Sequence, residues 1–145
     1  MSNLAHAMEI AEQAHAGQTD KAGGPYVGHL DRVAAAVDTL DEKIVAYLHD
    51  LLEKGEGWSA ASLEQAGFSP RVVAAVVALT RAEGEDEVQF VKRAACNALA
   101  RPVKRADIED NRRQAHAAGR PTDRYDRDLA VLDALRAGDT VSGLG

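Results

Sequence analysis

The chain has 145 residues and a mass of 15.4 kDa, room for one moderate core and too little for two ordinary ones. Lys and Arg number 17 against 23 Asp and Glu, a formal charge of −6, which argues against a broad basic surface for a nucleic-acid polymer but leaves room for a local cationic pocket. The single cysteine, Cys96, excludes an intrachain disulfide framework and a multi-cysteine zinc site.

No cationic leader with a cleavage site opens the sequence. No apolar run approaches the roughly 20 residues that span a bilayer. A soluble, cytoplasmic protein without a membrane partner is expected. Ala and Leu dominate and β-branched residues rarely alternate, so the expected class is all-α: one irregular bundle of about seven helices in a single domain, 1–145.

In chain order, Leu4, Ala7, Met8, Ala11 and Ala14 predict a helix over 3–16, stopped by Gly17. AGGPYVG, 22–28, reads as a loop, and the following helix places Leu30, Val33, Ala34 and Val37 on one side. Asp41 is expected to cap an inner helix over about 42–54, apolar around much of its circumference. Ser59 to Ala66 reads as a short helix. Ser69 with Pro70 marks a further start, with Ser at the N-cap and Pro in the first turn. Helices near 86–98 and 123–137 follow. Pro102 is expected to break or kink the chain before VKRADIEDN, and Gly138 to end the last helix.

An inner helix does not need His49 and Asp50 side by side at its middle, because unpaired burial of polar groups costs on the order of 2–7 kcal/mol. Glu53 lies one turn on and can border the same cleft. His29 follows the Gly/Pro loop. Lys104, Asp107 and Asn111 stand at i, i+3 and i+7 and can line one helical face. His29, His49, Asp50 and Asp107 form a mixed nitrogen and oxygen donor set of the kind that suits Mn²⁺, Fe²⁺, Zn²⁺ or a related divalent ion. Their spacing matches no local metal motif. A second reading stays open on the residues alone: His49 and Asp50 pair in the core, His29 caps a helix, and Asp107 sits on a wet face.

Three stretches in order carry a resemblance: AHAGQTDKAGGPYVGH (14–29), AYLHDLLEKG (46–55), and LTRAEGEDEVQFVKRAACNALARPVKRADIEDN (79–111). Over 4–111 the sequence resembles the HD-domain phosphohydrolases, and among them the small RelA/SpoT-type domain that removes pyrophosphate from guanosine tetra- and pentaphosphate. The resemblance implies a metal-dependent phosphohydrolase of the HD-type helical fold, acting on a nucleotide or small phosphorylated metabolite. It implies one divalent ion, Mn²⁺ first, on His29, His49, Asp50 and Asp107. It also implies Glu53 beside the attacking water, Asn111 positioning water or phosphate, Lys104 as a phosphate-side or structural cation, and His15, Lys21 and Tyr26 framing the nucleotide pocket.

Two positions depart from the relatives. Glu53-Lys54-Gly55 stands where they usually have Glu-Asp-Thr, and Asp20 stands where they usually have an arginine against the guanine. The ligand set survives both changes, but the case for that base and that polyphosphate weakens. The alternative is a sensor that binds a nucleotide or phosphate without turning it over. His6 is expected as a surface or satisfied histidine, His116 as solvent-facing, Cys96 as a small buried hydrophobe, and the arginines of 112–136 either as a phosphate rim or as a solvated face.

Overall fold

A computed structural model of the chain describes residues 3–135. Among these the structure is helical: α1 (Asn3–Ala14), α2 (Tyr26–Ala35), α3 (Leu40–Leu48), α4 (Leu51–Lys54), α5 (Ala60–Gln65), α6 (Pro70–Ala78), α7 (Glu87–Ala95), α8 (Ala100–Ala117) and α9 (Asp123–Ala134). The all-α reading holds, with nine helices among the described residues where about seven were expected. An isolated antiparallel bridge, Thr19 to Pro25, closes the loop ahead of α2.

Several starts are written locally. Ser69 accepts from Val72 N with Pro70 in the first turn, as expected. Asp86 and Gln89 form a reciprocal capping box at α7. The cap of α3 is Thr39 rather than Asp41: its side chain accepts from Glu42 N while the Glu42 carboxylate accepts from Thr39 N. Asp41 instead occupies the first turn, where a negative charge faces the positive helix end.

Two expectations about continuity are corrected. The helix over about 42–54 is interrupted at His49 and Asp50, the latter at φ −102°, ψ 4°, so the adjacent polar pair sits at a break between α3 and α4. Pro102 does not break the chain. It is the third residue of α8, where its missing N–H would have no acceptor within the helix. Asn97 Oδ1 takes up the neighbouring amides of Leu99 and Ala100. Gly138 and the end of the 123–137 helix lie outside the described residues.

The α3 helix is the centre, in contact with α1, α2, α6 and α8. Ala7 and Ala11 from α1, Leu30 and Val33 from α2, Val45 and Leu48 from α3, Val76 from α6 and Val103 from α8 meet there, all fully buried. Truncating a leucine such as Leu48 to alanine is expected to cost about 2–5 kcal/mol. A second, smaller core joins Val91 and Ala95 of α7, Ile108 and Ala115 of α8, and Tyr125 and Leu132 of α9. Helix α8 serves both cores. Lys104, Asp107, Asp110, Asn111 and Gln114 share that helix and carry its polar chemistry.

Candidate metal centre

Three elements converge on four ligand atoms. His29 comes from the first turns of α2, His49 and Asp50 from the α3–α4 break, and Asp107 from α8. One ligand atom from each lies within 4.8 Å of all the others. His29, His49 and Asp107 are buried, and Asp50 is half-buried. Both Nε2 atoms point at Asp107 Oδ1, at 3.0 Å from His29 and 3.2 Å from His49, and His49 Nε2 is also 3.2 Å from Asp50 Oδ2.

The opposite ring nitrogens fix the protonation pattern. His49 Nδ1 lies 2.6 Å from the Ala46 carbonyl, which can only accept, so Nδ1 carries a proton. His29 Nδ1 donates to Asp110 Oδ2 at 2.7 Å, and Gln114 Nε2 donates to the same oxygen at 2.7 Å. With both Nδ1 atoms protonated, each Nε2 meets a carboxylate with a proton or with its lone pair. Two imidazolium protons or one divalent ion supply the same positive charge at the centre of the four groups. The donor set therefore fits a divalent cation, with each histidine held in the Nδ1-protonated tautomer by an outer partner.

The electrostatics point the same way. Burial disfavours charge on His49, but the Asp50 and Asp107 carboxylates outweigh it and hold the ring well above its usual range. His29 is raised too, against burial, by Asp107 and Asp110. Burial pushes Asp50, Asp107 and Asp110 up, yet the surrounding donors win and keep all three below the usual carboxylate range. The Tyr26 hydroxyl donates to Asp50 Oδ2, and burial beside that carboxylate pushes its own pKa far up.

The cluster opens onto a cleft of about 150 Å³. Lys21, Tyr26, Glu53 and Lys54 line its near side and Lys104 and Asn111 its α8 side. Lys21 Nζ donates to Asn111 Oδ1 at 3.2 Å, and Asn111 Nδ2 donates to Asp107 Oδ1 at 3.2 Å. Lys104 is 3.4 Å from Asp107 Oδ2 and 4.1 Å from the Phe90 ring centroid, so it is held between a charge and an aromatic face. Thus nine of the ten residues singled out in the sequence as ligating, catalytic or substrate-binding belong to the cluster or line the cleft. The tenth, His15, does not line it. It is buried behind Tyr26, ring centroids 5.0 Å apart, with Nδ1 2.8 Å from Gln18 Oε1.

Both departures from the relatives acquire a physical setting. Asp20 does not face the cleft. Its side chain, 4% exposed, accepts from Ala22 N and Gly24 N and pairs with Arg32 at 2.9 Å, so it braces the loop that carries Lys21. Lys54 lines the cleft, 5.6 Å from the Tyr26 ring centroid. Gly55 has no room for a side chain, since a Cβ there would lie 2.7 Å from the Leu51 carbonyl oxygen.

Sequence reasoning missed Asp110, Gln114 and Arg32, which together hold His29. Asp110 stands three residues beyond Asp107, a signal available in the spacing. The far wall was also missed. Arg81, Glu87, Phe90, Arg124, Tyr125 and Asp128 line it, and Glu87 binds both Arg81 and Arg124. Among the arginines of 112–136, Arg124 reaches the cleft, whereas Arg112 pairs with Asp126 on an exposed face and Arg136 lies outside the described residues. Cys96 is half-exposed at the end of α7, not fully buried. His116 is exposed, on α8.

The fold and the His/His/Asp/Asp cluster define the class: a metal-dependent hydrolase built on an HD-type helical bundle. The chain belongs to the HD domain family, which it matches over residues 7–120. No curated protein matches the sequence. Among solved structures it resembles one described as "A metazoan ortholog of SpoT hydrolyzes ppGpp and plays a role in starvation responses", with 23% identity and a TM-score of 0.71. The match covers 92% of this chain and 83% of that one, and the two share the fold. Among the described residues, no helix is long and apolar enough to cross a membrane.

Proposed function

We propose that the chain hydrolyses a phosphate ester or pyrophosphate bond of a nucleotide or small phosphorylated metabolite, with Mn²⁺ as the first choice of ion. The observation that carries this reading is the four-ligand cluster at the base of a cleft rich in cations. His29, His49, Asp50 and Asp107 would hold the ion, which supplies Lewis acidity toward a phosphoryl oxygen and lowers the pKa of water. Glu53, which lines the cleft and makes no hydrogen bond or ion pair among the described residues, orients a water and takes its proton as the oxygen attacks phosphorus. The P–O bond to the leaving group then breaks. Asn111 positions water or phosphate through its amide, and Lys21, Lys54 and Lys104 offset phosphate charge. His15 acts indirectly, by backing the Tyr26 ring.

Guanosine 3′,5′-bis(diphosphate), cleaved at its 3′-pyrophosphate, is one candidate substrate, in keeping with the words attached to the structural relative. Lys54 favours a second reading as well. A cation replaces a carboxylate beside Glu53, which suits a sensor that grips phosphate without turning it over. The test is a hydrolysis screen of nucleotides, including this one, with Mn²⁺-loaded protein and its Glu53→Gln variant. Turnover lost in the variant supports the hydrolase. Tight binding without turnover at any pH or with any divalent ion selects the sensor.

A further inference from the structure

Once the cleft's acidic groups are assigned, Asp128 is left over. Asp50 and Asp107 belong to the ligand cluster, Glu53 has a place beside water, and Glu87 is held by Arg81 at 3.1 Å and Arg124 at 2.8 Å. Asp128 also lines the cleft and is only 5% exposed, yet it makes no hydrogen bond or ion pair among the described residues. Burial, with Glu87 nearby, pushes its carboxyl up to about 6, against the pull of Lys104, Arg124 and Arg127. The carboxylate oxygens are not sealed off, since among the described residues the buried side-chain polar atom without a partner is His15 Nε2; those of Asp128 meet the water of the cleft, where a ligand could replace it.

Its position on α9 sharpens the point. Tyr125, Asp128 and Leu132 stand at i, i+3 and i+7, and the first and last belong to the second core. An apolar residue at 128 would extend that core. A carboxyl there breaks the inward pattern at a cleft wall, where a broken local rule most often serves a site. It also repels phosphate, so it marks a part of the cleft that the phosphate does not occupy.

We propose that Asp128 is a specificity-determining residue whose carboxyl accepts hydrogen bonds from N–H or O–H donors on the non-phosphate part of the substrate. It thereby selects an ester bearing ribose hydroxyls or an amino-bearing base over a plain aryl or alkyl ester. The inference rests on the phosphohydrolase reading of the same cleft. A site built to bond such donors discriminates strongly against analogues that lack them, because its polar group is then left unpaired.

The test compares kcat/KM of the Mn²⁺-loaded full chain and its Asp128→Ala and Asp128→Asn variants. The substrates are guanosine 3′,5′-bis(diphosphate), guanosine, inosine and 2′-deoxyguanosine monophosphates, and p-nitrophenyl phosphate. Asp128→Ala should lower the preference for the favoured nucleotide over p-nitrophenyl phosphate at least tenfold, mainly through KM. Loss of that sensitivity with the deoxynucleotide assigns the donors to the ribose, and loss with inosine monophosphate assigns them to the base amine. Urea unfolding of the chelator-stripped protein supplies a second readout: Asp128→Asn should unfold at the same or a higher urea concentration than the parent. A preference unmoved within twofold, or a destabilised Asp128→Asn protein, overturns the role of Asp128 and leaves the phosphohydrolase reading standing. A parent protein that hydrolyses none of these esters overturns both.

Discussion

Replacing Asp110, a residue that touches no ion in this account, should weaken the centre. Its side chain is 2% exposed and accepts from His29 Nδ1 at 2.7 Å, Gln114 at 2.7 Å and Arg32 at 2.8 Å, with Arg113 at 3.2 Å. Hydrogen bonds to a charged group contribute about 1.5–3 kcal/mol each. Removing one partner of a buried pair costs about 3–5 kcal/mol. Asp110→Ala is therefore expected to destabilise the metal-free protein by about 3 kcal/mol or more, lowering Tm by roughly 6–12 °C at about 2–4 °C per kcal/mol for a chain of this size. Asp110→Asn keeps an acceptor for His29 but turns an amide toward Arg32, and should fall between parent and alanine variant. Outer partners of ligating histidines are worth roughly 10–100-fold in metal affinity, about 1.4–2.8 kcal/mol. Competition for Mn²⁺ against a chromogenic chelator, paired with thermal unfolding of stripped protein, reads both effects. A metal Kd within twofold of the parent would refute the claim that Asp110 sets the tautomer and aim of His29.

Other perturbations report on separate parts of the account. Glu53→Gln should retain its ion and lose about 10²–10⁴-fold in kcat, the usual range for a general base, as checked by metal analysis beside steady-state kinetics. Asp20→Ala should cost about 1–3 kcal/mol in urea unfolding, because two loop amides and Arg32 lose a buried acceptor. Stability of the stripped protein should also depend on pH in a bounded way. The raised His29 and His49 contribute fully below about pH 6.5, and that contribution is lost as pH rises through their folded values. The lowered Asp50, Asp107 and Asp110 contribute above about pH 3.8 and lose that contribution as pH falls through their folded values. Urea midpoints should thus be highest between those limits, while metal affinity rises with pH as Nε2 protons leave. A flat urea profile from about pH 4 to 8 would contradict the proton count at the cluster.

What the sequence could and could not reveal follows from the range of the interactions. The start of α6 was legible because Ser69 and Pro70 act on amides within three residues. The four residues of the cluster were legible as candidates because the residue types and their order resembled a known family, although spacing alone left a core pairing open. The break at His49 and Asp50 was not legible. Leu48, Leu51 and Leu52 continue the apolar pattern across it, and no Gly or Pro punctuates it. Asp110 and His29 meet across 81 residues, and the Glu87–Arg124 pair across 37. Such partners carry no local signature. Asp20 shows the converse error. Its charge looked like a change in the pocket, whereas the side chain turns to Arg32 and braces the loop.

The central claim, a divalent ion on His29, His49, Asp50 and Asp107, is tested most directly by metal content. Untagged protein purified without chelator should carry close to one divalent ion per chain, or take up one on reconstitution with Mn²⁺. Asp107→Asn should lose it while keeping its helical circular dichroism. Absence of bound metal in the parent after reconstitution with Mn²⁺, Fe²⁺ and Zn²⁺, or full occupancy in Asp107→Asn, would contradict the account.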